Sequence, residues 1–246
     1  NDANGGTDLS ETNLAAIDQC TDSPTNNFAV MNPLDNLIAG ATFSEGNCVL
    51  ATAATPATFN TSTIWLTAGK WYWEVNTTTS NSDAQMSGIS GQPTVSTADY
   101  CSYSTDSNAY AYYSVGKKSY QRTHISTGYD SYGADDVIGF ALDLDNLKIY
   151  FAKNGTWQDS GDPTSGATGT GAAYTITAPS GGLYGAYSAG VGDNGGQSDV
   201  MEVNFGNPTW SLTSAAADAN GYGAFEYAPP SGYLAICTKN LGSDGG

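Results

Sequence analysis

Asp136-Val137-Ile138-Gly139-Phe140-Ala141-Leu142-Asp143-Leu144-Asp145-Asn146-Leu147-Lys148-Ile149-Tyr150-Phe151-Ala152-Lys153-Asn154-Gly155-Thr156-Trp157 reads as two strands joined by a tight turn. Ile138, Phe140, Leu142 and Leu144 alternate with small or polar residues, and Leu147 to Ala152 alternates again. A period of two sends successive side chains to opposite faces of a strand. Asp145-Asn146 between the two runs is turn chemistry, which predicts a hairpin capped by Asp145. Asn154-Gly155 offers a second tight turn.

Short strands recur on both sides. Phe28–Leu34, Ala41–Phe43, Asn47–Leu50, Thr63–Leu66, Trp71–Val75, Met86–Ser90, Leu183–Gly190 and Val200–Phe205 are separated by Gly-, Ser- and Asn-rich turns. Strands this short and frequent predict an all-β fold, a bent antiparallel β-sandwich or jelly roll. Trp71, Trp73 and Val75 share one strand face and are expected to point into the core, with Tyr72 and Glu74 on the other. Helical periodicity is confined to a weak stretch, Leu9–Ile17, with Ser10 as a cap. Gly161–Gly171 reads as a long flexible loop. Residues 1–22 read as a lead-in, 23–214 as the sandwich, and 215–246 as a C-terminal extension that packs on the sandwich or leads to a next domain. Within the extension, Tyr233–Cys237 is a candidate final strand. The glycine-rich ends suggest a segment of a longer polypeptide.

Composition narrows the partners. Of 246 residues only 7 are Lys or Arg against 24 acidic residues, a net charge of −17. A nucleic-acid partner is disfavoured, because little basic surface is present to displace counterions from phosphate. Attraction to an anionic membrane fails for the same reason, and no run of apolar residues is long enough for a transmembrane helix. Excess negative charge keeps an exposed protein soluble. Four cysteines (20, 48, 101, 237) have no metal-type spacing. They read as free thiols or, if one bridge forms, as Cys20 with Cys237, which flank the sandwich. Asn60, Asn76 and Asn154 match the N-glycosylation pattern, at a frequency near chance for a chain this rich in Asn and Thr.

Gly69-Lys70-Trp71-Tyr72-Trp73-Glu74-Val75, the Asp136–Trp157 hairpin and Val203-Asn204-Phe205-Gly206, in this order and spacing, resemble the signature of SPRY domains. These are concanavalin-like β-sandwiches used mainly for recognition, and the resemblance covers about residues 23–208. The flanks Asp22–Phe28 and Ala228–Thr238 resemble those of SPRY-containing structural proteins of tailed bacteriophages. That resemblance implies a virion component, such as a tail fibre, spike or capsid appendage, in a virion or extracellular setting. Its partners would be a host-surface glycan or protein, or other virion proteins, with a homo-oligomer allowed.

The segment Tyr100–Tyr132 is the most unusual in composition. It holds eight tyrosines, three of the seven basic residues and the sole histidine. Tyr103, Tyr110, Tyr112, Lys117, Lys118, Tyr120, Arg122 and His124 are the candidate ligand-binding residues. Tyrosine gives large amphipathic contact area with few rotors, and the cations suit an acidic group of a glycan or peptide. Against this, Ala109–Lys118 also reads as an ordinary hairpin whose tyrosines pack across strands, leaving loop-borne residues as the better contacts.

Catalytic signals are weak, and the sequence implies no enzyme, cofactor or metal. Asp143 and Asp145 are two carboxylates on one strand face, but glycoside hydrolysis needs a pair flanking a bond, and they read as turn residues. Gly192–Gly196 lacks the spaced carboxylates of a calcium loop. His124 has no partner pattern, and no nucleophile elbow occurs. Two rival readings stand beside recognition: a carbohydrate-active enzyme on the same sandwich, and an architectural oligomerising module.

Overall fold

The computed structural model describes residues 22–35, 40–54, 57–80, 84–93, 108–126, 128–181, 184–195 and 198–243. The expected helix at Leu9–Ile17, together with Cys20, Cys101 and Tyr103, lies outside them. In chain order the first strands are β1 (Ala41–Ser44), β2 (Val49–Thr52), β3 (Thr58–Thr61), β4 (Lys70–Thr79), β5 (Gln85–Ser90), β6 (Tyr110–Tyr113), β7 (Lys117–Tyr120) and β8 (Thr123–Ser126). Then follow β9 (Val137–Asp143), β10 (Lys148–Lys153), β11 (Thr156–Trp157), β12 (Tyr174–Thr175), β13 (Ser188–Asp193), β14 (Val200–Asn204) and β15 (Leu234–Ala235), with one short helix, α1 (Thr238–Ser243). No helix among the described residues is long and apolar enough to cross a membrane.

The strands form two sheets, so the fold is the expected antiparallel β-sandwich. One sheet runs β1-β2-β14-β4-β9-β10-β11, with β12 added to β10 and β15 to β4. The other runs β3-β13-β5-β6-β7-β8. All pairings are antiparallel except β15 with β4. The β9–β10 hairpin pairs Asp143 with Lys148 and Ile138 with Lys153, which leaves Asp145-Asn146 in the expected turn. Its cap differs from expectation. Asp143 accepts hydrogen bonds from Asn146 N and Nδ2, both at 2.8 Å, because it stands three residues back and its carboxylate reaches across the loop. Asp145 lies inside the loop and instead accepts Gly69 N at 2.9 Å. The β10–β11 turn is the predicted Asn154-Gly155, with φ of 47° and 77°, the two left-handed positions a two-residue hairpin turn requires.

Trp71, Trp73 and Val75 enter the inter-sheet core as predicted. Trp73 stacks on Phe140 at 5.1 Å, and Phe151 stacks on Tyr112 of the facing sheet at 5.6 Å. Thr63–Leu66 and Phe28–Leu34, expected as strands, contribute only isolated bridges: Leu66 to Tyr187, Phe28 to Cys237 and Met31 to Ser62. The ladder position before Thr63 is filled by β3, which pairs with β13.

The opposite face of β4, β9 and β10 is buried as well. Tyr72, Ala141 and Tyr150 pack under Phe225, Tyr233, Ala235 and Cys237 in a second apolar cluster. The sandwich therefore carries a third layer, made by the segment that follows β14. Two buried carboxylates hold it. Glu74 accepts from Glu226 N (2.9 Å), Tyr227 N (2.8 Å), Tyr72 Oη (3.0 Å) and Asn204 Nδ2 (3.1 Å). Asp218 accepts from Tyr222 N and Ala235 N at 2.8 Å and from Asn240 Nδ2 at 2.7 Å. A buried charge is tolerable only with such partners, since water no longer solvates it.

Gly161–Gly171 is an ordered stretch rather than a flexible loop. Asp162 Oδ1 accepts Thr164 N at 2.9 Å, and Tyr233 Oη donates to Pro163 O at 2.9 Å.

Candidate recognition surface

The chain around the predicted site folds as a three-stranded meander, β6–β7–β8, at the end of the second sheet. Alternation along these strands divides the candidate residues between two faces. Tyr110 and Tyr112 are 3% and 0% exposed and belong to the inter-sheet core. Tyr110 stacks on Tyr120 at 4.5 Å, and Tyr112 meets Tyr132 edge-on at 4.9 Å. Lys118 opposes Tyr112 in the ladder. It donates to Ala173 O at 2.8 Å and lies 5.0 Å over the Tyr174 ring, so its charge is committed inside the domain. Tyr110, Tyr112, Lys118 and most of Tyr120 are thus packing residues. A ligand could reach the Tyr110 and Tyr112 rings only by opening the sandwich.

The other face carries Tyr113, Lys117, Ser119 and His124. Ser119 Oγ lies 2.8 Å from His124 Nδ1, and the imidazole lies 5.1 Å from the Tyr113 ring. Burial and the neighbouring Lys117 ammonium both lower the His124 pKa, so the ring is mainly neutral near pH 7. Gln121 and Arg122, at φ of 46° and 65°, make the β7–β8 turn, and Arg122 is exposed at its tip. Lys117 and Arg122 are therefore the cations that this surface presents. Ile125, 41% exposed, opposes Lys118 in the ladder and so lies on the other face of β8.

The other sequence candidates resolve as structural. Asp143 pairs with Lys70 at 3.2 Å in addition to capping its hairpin, which commits it to the fold rather than to acid–base work. Asp193 Oδ1 accepts Gly195 N at 2.7 Å in a local turn. Asn60 is fully buried, and the Asn154 amide is held by Val137 N (2.8 Å) and Asp136 Oδ1 (2.7 Å). Cys48 and Cys237 are buried free thiols, and burial pushes the Cys237 thiol up. Among the described residues no group of three potential ligands is placed to hold a metal ion.

Two features carry no sequence signal. Tyr184, 55% exposed, lies 6.0 Å from Trp65, an aromatic pair between segments far apart in the chain. A cleft of about 410 Å³ lies between the first sheet and the third layer, walled in part by Trp210 and Tyr227. Neither could be read locally, because each is assembled from segments joined only by the fold.

The comparisons agree with this architecture. The profile of the SPRY domain matches residues 70–207, more than half of the chain. A search of curated proteins finds no match. Among solved structures, the SPRY domain of human HERC1 superposes with a TM-score of 0.54 at 15% identity, covering 70% of this chain and 96% of that one. At that identity the likeness speaks for the fold. With the profile match, the two-sheet topology and the paired hairpin, the chain belongs to the SPRY family.

Proposed function

We propose that this SPRY domain is a non-catalytic recognition module of a virion, a component of a tail fibre, spike or capsid appendage, and that it binds an acidic group on the host surface. One observation carries the reading: the rim hairpin β7–β8 places Lys117 on its outward face and Arg122 exposed at its turn, in a chain whose net charge is −17. Exposed cations on an otherwise acidic protein select for a carboxylate or sulfate, while the acidic surface elsewhere repels it. The ligand is a glycan bearing such a group; an acidic patch on another virion protein presents the same chemistry. The virion setting is supported by the two flanking segments that resemble those of tailed-phage structural proteins.

The test is binding of the purified chain to host cells and to an array of acidic glycans, comparing wild type with Lys117→Ala/Arg122→Ala. Loss of about tenfold in affinity is expected, the scale of one or two charge contacts. Binding that survives the double change would remove the site assignment, and binding to a virion protein but to no glycan would make the module architectural.

A further inference from the structure

The cleft between the first sheet and the third layer is a separate site, and it owes nothing to the rim hairpin. Its floor is the start of β9 and the Asn154-Gly155 turn, and its walls are two stretches after β14, around Trp210–Thr213 and Glu226–Tyr227. These walls are fixed in place. Glu74 holds the backbone of Glu226 and Tyr227 from below, and Glu226 Oε2 accepts Thr213 N at 2.9 Å, which ties one wall to the other. The Tyr227 ring rests directly on Gly155: a Cβ there would stand 2.5 Å from Tyr227 Cδ1, so only glycine lets the ring lie on the turn.

The lining has a definite chemistry. Beside Val137 and the amides of Asn76 and Asn154, it offers two aromatic side chains, Trp210 and Tyr227, two carboxylates, Asp135 and Glu226, and the hydroxyls of Ser211 and Thr213, with no Lys, Arg or His. That charge disfavours a phosphate or carboxylate ligand. The carboxylates call for hydrogen-bond donors, and the rings for an apolar face of C–H groups. A sugar ring has this combination: hydroxyls that donate and accept around an apolar face.

We infer that the Trp210–Tyr227 cleft is a binding site for a neutral saccharide unit, stacked on the aromatic walls and hydrogen-bonded through its hydroxyls to Glu226 and Asp135. The third layer, which lies outside the matched SPRY segment, supplies both rings.

The experiment is ligand-observed saturation-transfer NMR on the intact chain with the methyl glycosides of glucose, galactose, mannose and N-acetylglucosamine. Nα-acetyl-lysine methylamide serves as the cationic comparison. At least one glycoside is expected to bind saturably, to weaken about tenfold in Trp210→Ala or Tyr227→Ala, and to be blocked by Ser211→Trp. Ser211 is exposed, so the last change fills the cleft without removing a buried contact. Lys117→Ala/Arg122→Ala leaves this binding unchanged, which separates the cleft from the rim site whichever of the two fails. No saturable glycoside, binding that persists in Ser211→Trp, or binding of the lysine derivative alone would each overturn the assignment.

Discussion

Glu74 Oε1 accepts the backbone N–H of Tyr227 at 2.8 Å, across 153 residues of sequence. With Oε2 holding Glu226 N at 2.9 Å, one carboxylate on the outer face of β4 fastens the third layer to the sandwich. Burial raises the Glu74 pKa, and the hydrogen bonds from Tyr227, Glu226, Tyr72 and Asn204 pull it back. Glu74→Gln sets an NH2 donor against these donors. It is expected to destabilise by about 2–3 kcal/mol, the cost of leaving buried polar groups unmatched. Urea unfolding measures the loss, and limited proteolysis should cut first within residues 208–237. Unchanged protection of that segment would show that the anchor lies elsewhere.

The tyrosines of β6 act through the core. Tyr112 is fully buried, stacked on Phe151 and crossed by Tyr132, so Tyr112→Ala is expected to cost about 3–5 kcal/mol, as for other buried aromatics. Lys117→Ala on the next strand should change stability by less than about 0.5 kcal/mol. Thermal melts of the two variants decide it, and similar melting temperatures would contradict the division of the meander into packing and presenting faces.

Different regions of this chain were legible to different degrees, and for physical reasons. Period-two alternation with a turn signal is local, so the β9–β10 hairpin and the inward Trp71 and Trp73 follow from sequence directly. Alternation could also have sorted Tyr110, Tyr112, Lys118 and Tyr120 from Lys117 and His124, had the β7 register been known. That register depends on the Gly116 turn and on packing. Glu74 resisted reading because a carboxylate on an outward strand face normally meets water, and only the far end of the chain buries it. The hairpin cap went to Asp143 rather than Asp145 because loop geometry, not residue type, chose between two aspartates. Trp210 and Tyr227 carry no motif; what joins them is a layer added by residues distant in sequence.

Gly88 sits where β5 and β6 approach too closely for any side chain. A Cβ there would stand 1.9 Å from Tyr110 O and 2.8 Å from Ala111 Cα, both backbone atoms that cannot swing aside. Gly88→Ala must therefore force β5 and β6 away from each other, and a loss of about 3 kcal/mol or more is expected, at the upper end for overpacking. Chemical denaturation reads it. A loss below about 1 kcal/mol would mean that the sheet yields there without strain.

Asp193 gives the fold a pH dependence of definite sign. It ends β13, is fully buried, and has its pKa pushed up from 3.8 to about 6 by burial, with the Asp199 charge adding to the rise and Gly195 N opposing it. The native state then holds a proton that the unfolded chain releases between pH 4 and 6. Stability from this group is complete below the unfolded value of 3.8 and is lost as pH rises through about 6. Asp193→Asn removes the titration while keeping an oxygen to accept Gly195 N. The variant is expected to gain on wild type as pH rises from 4 to 7, by on the order of 2 kcal/mol, since a tenfold change in a proton-binding constant corresponds to about 1.4 kcal/mol. Unfolding free energies of both proteins across that range test it, because the difference between the curves cancels the other acids. Parallel curves would place the titrating group somewhere other than Asp193.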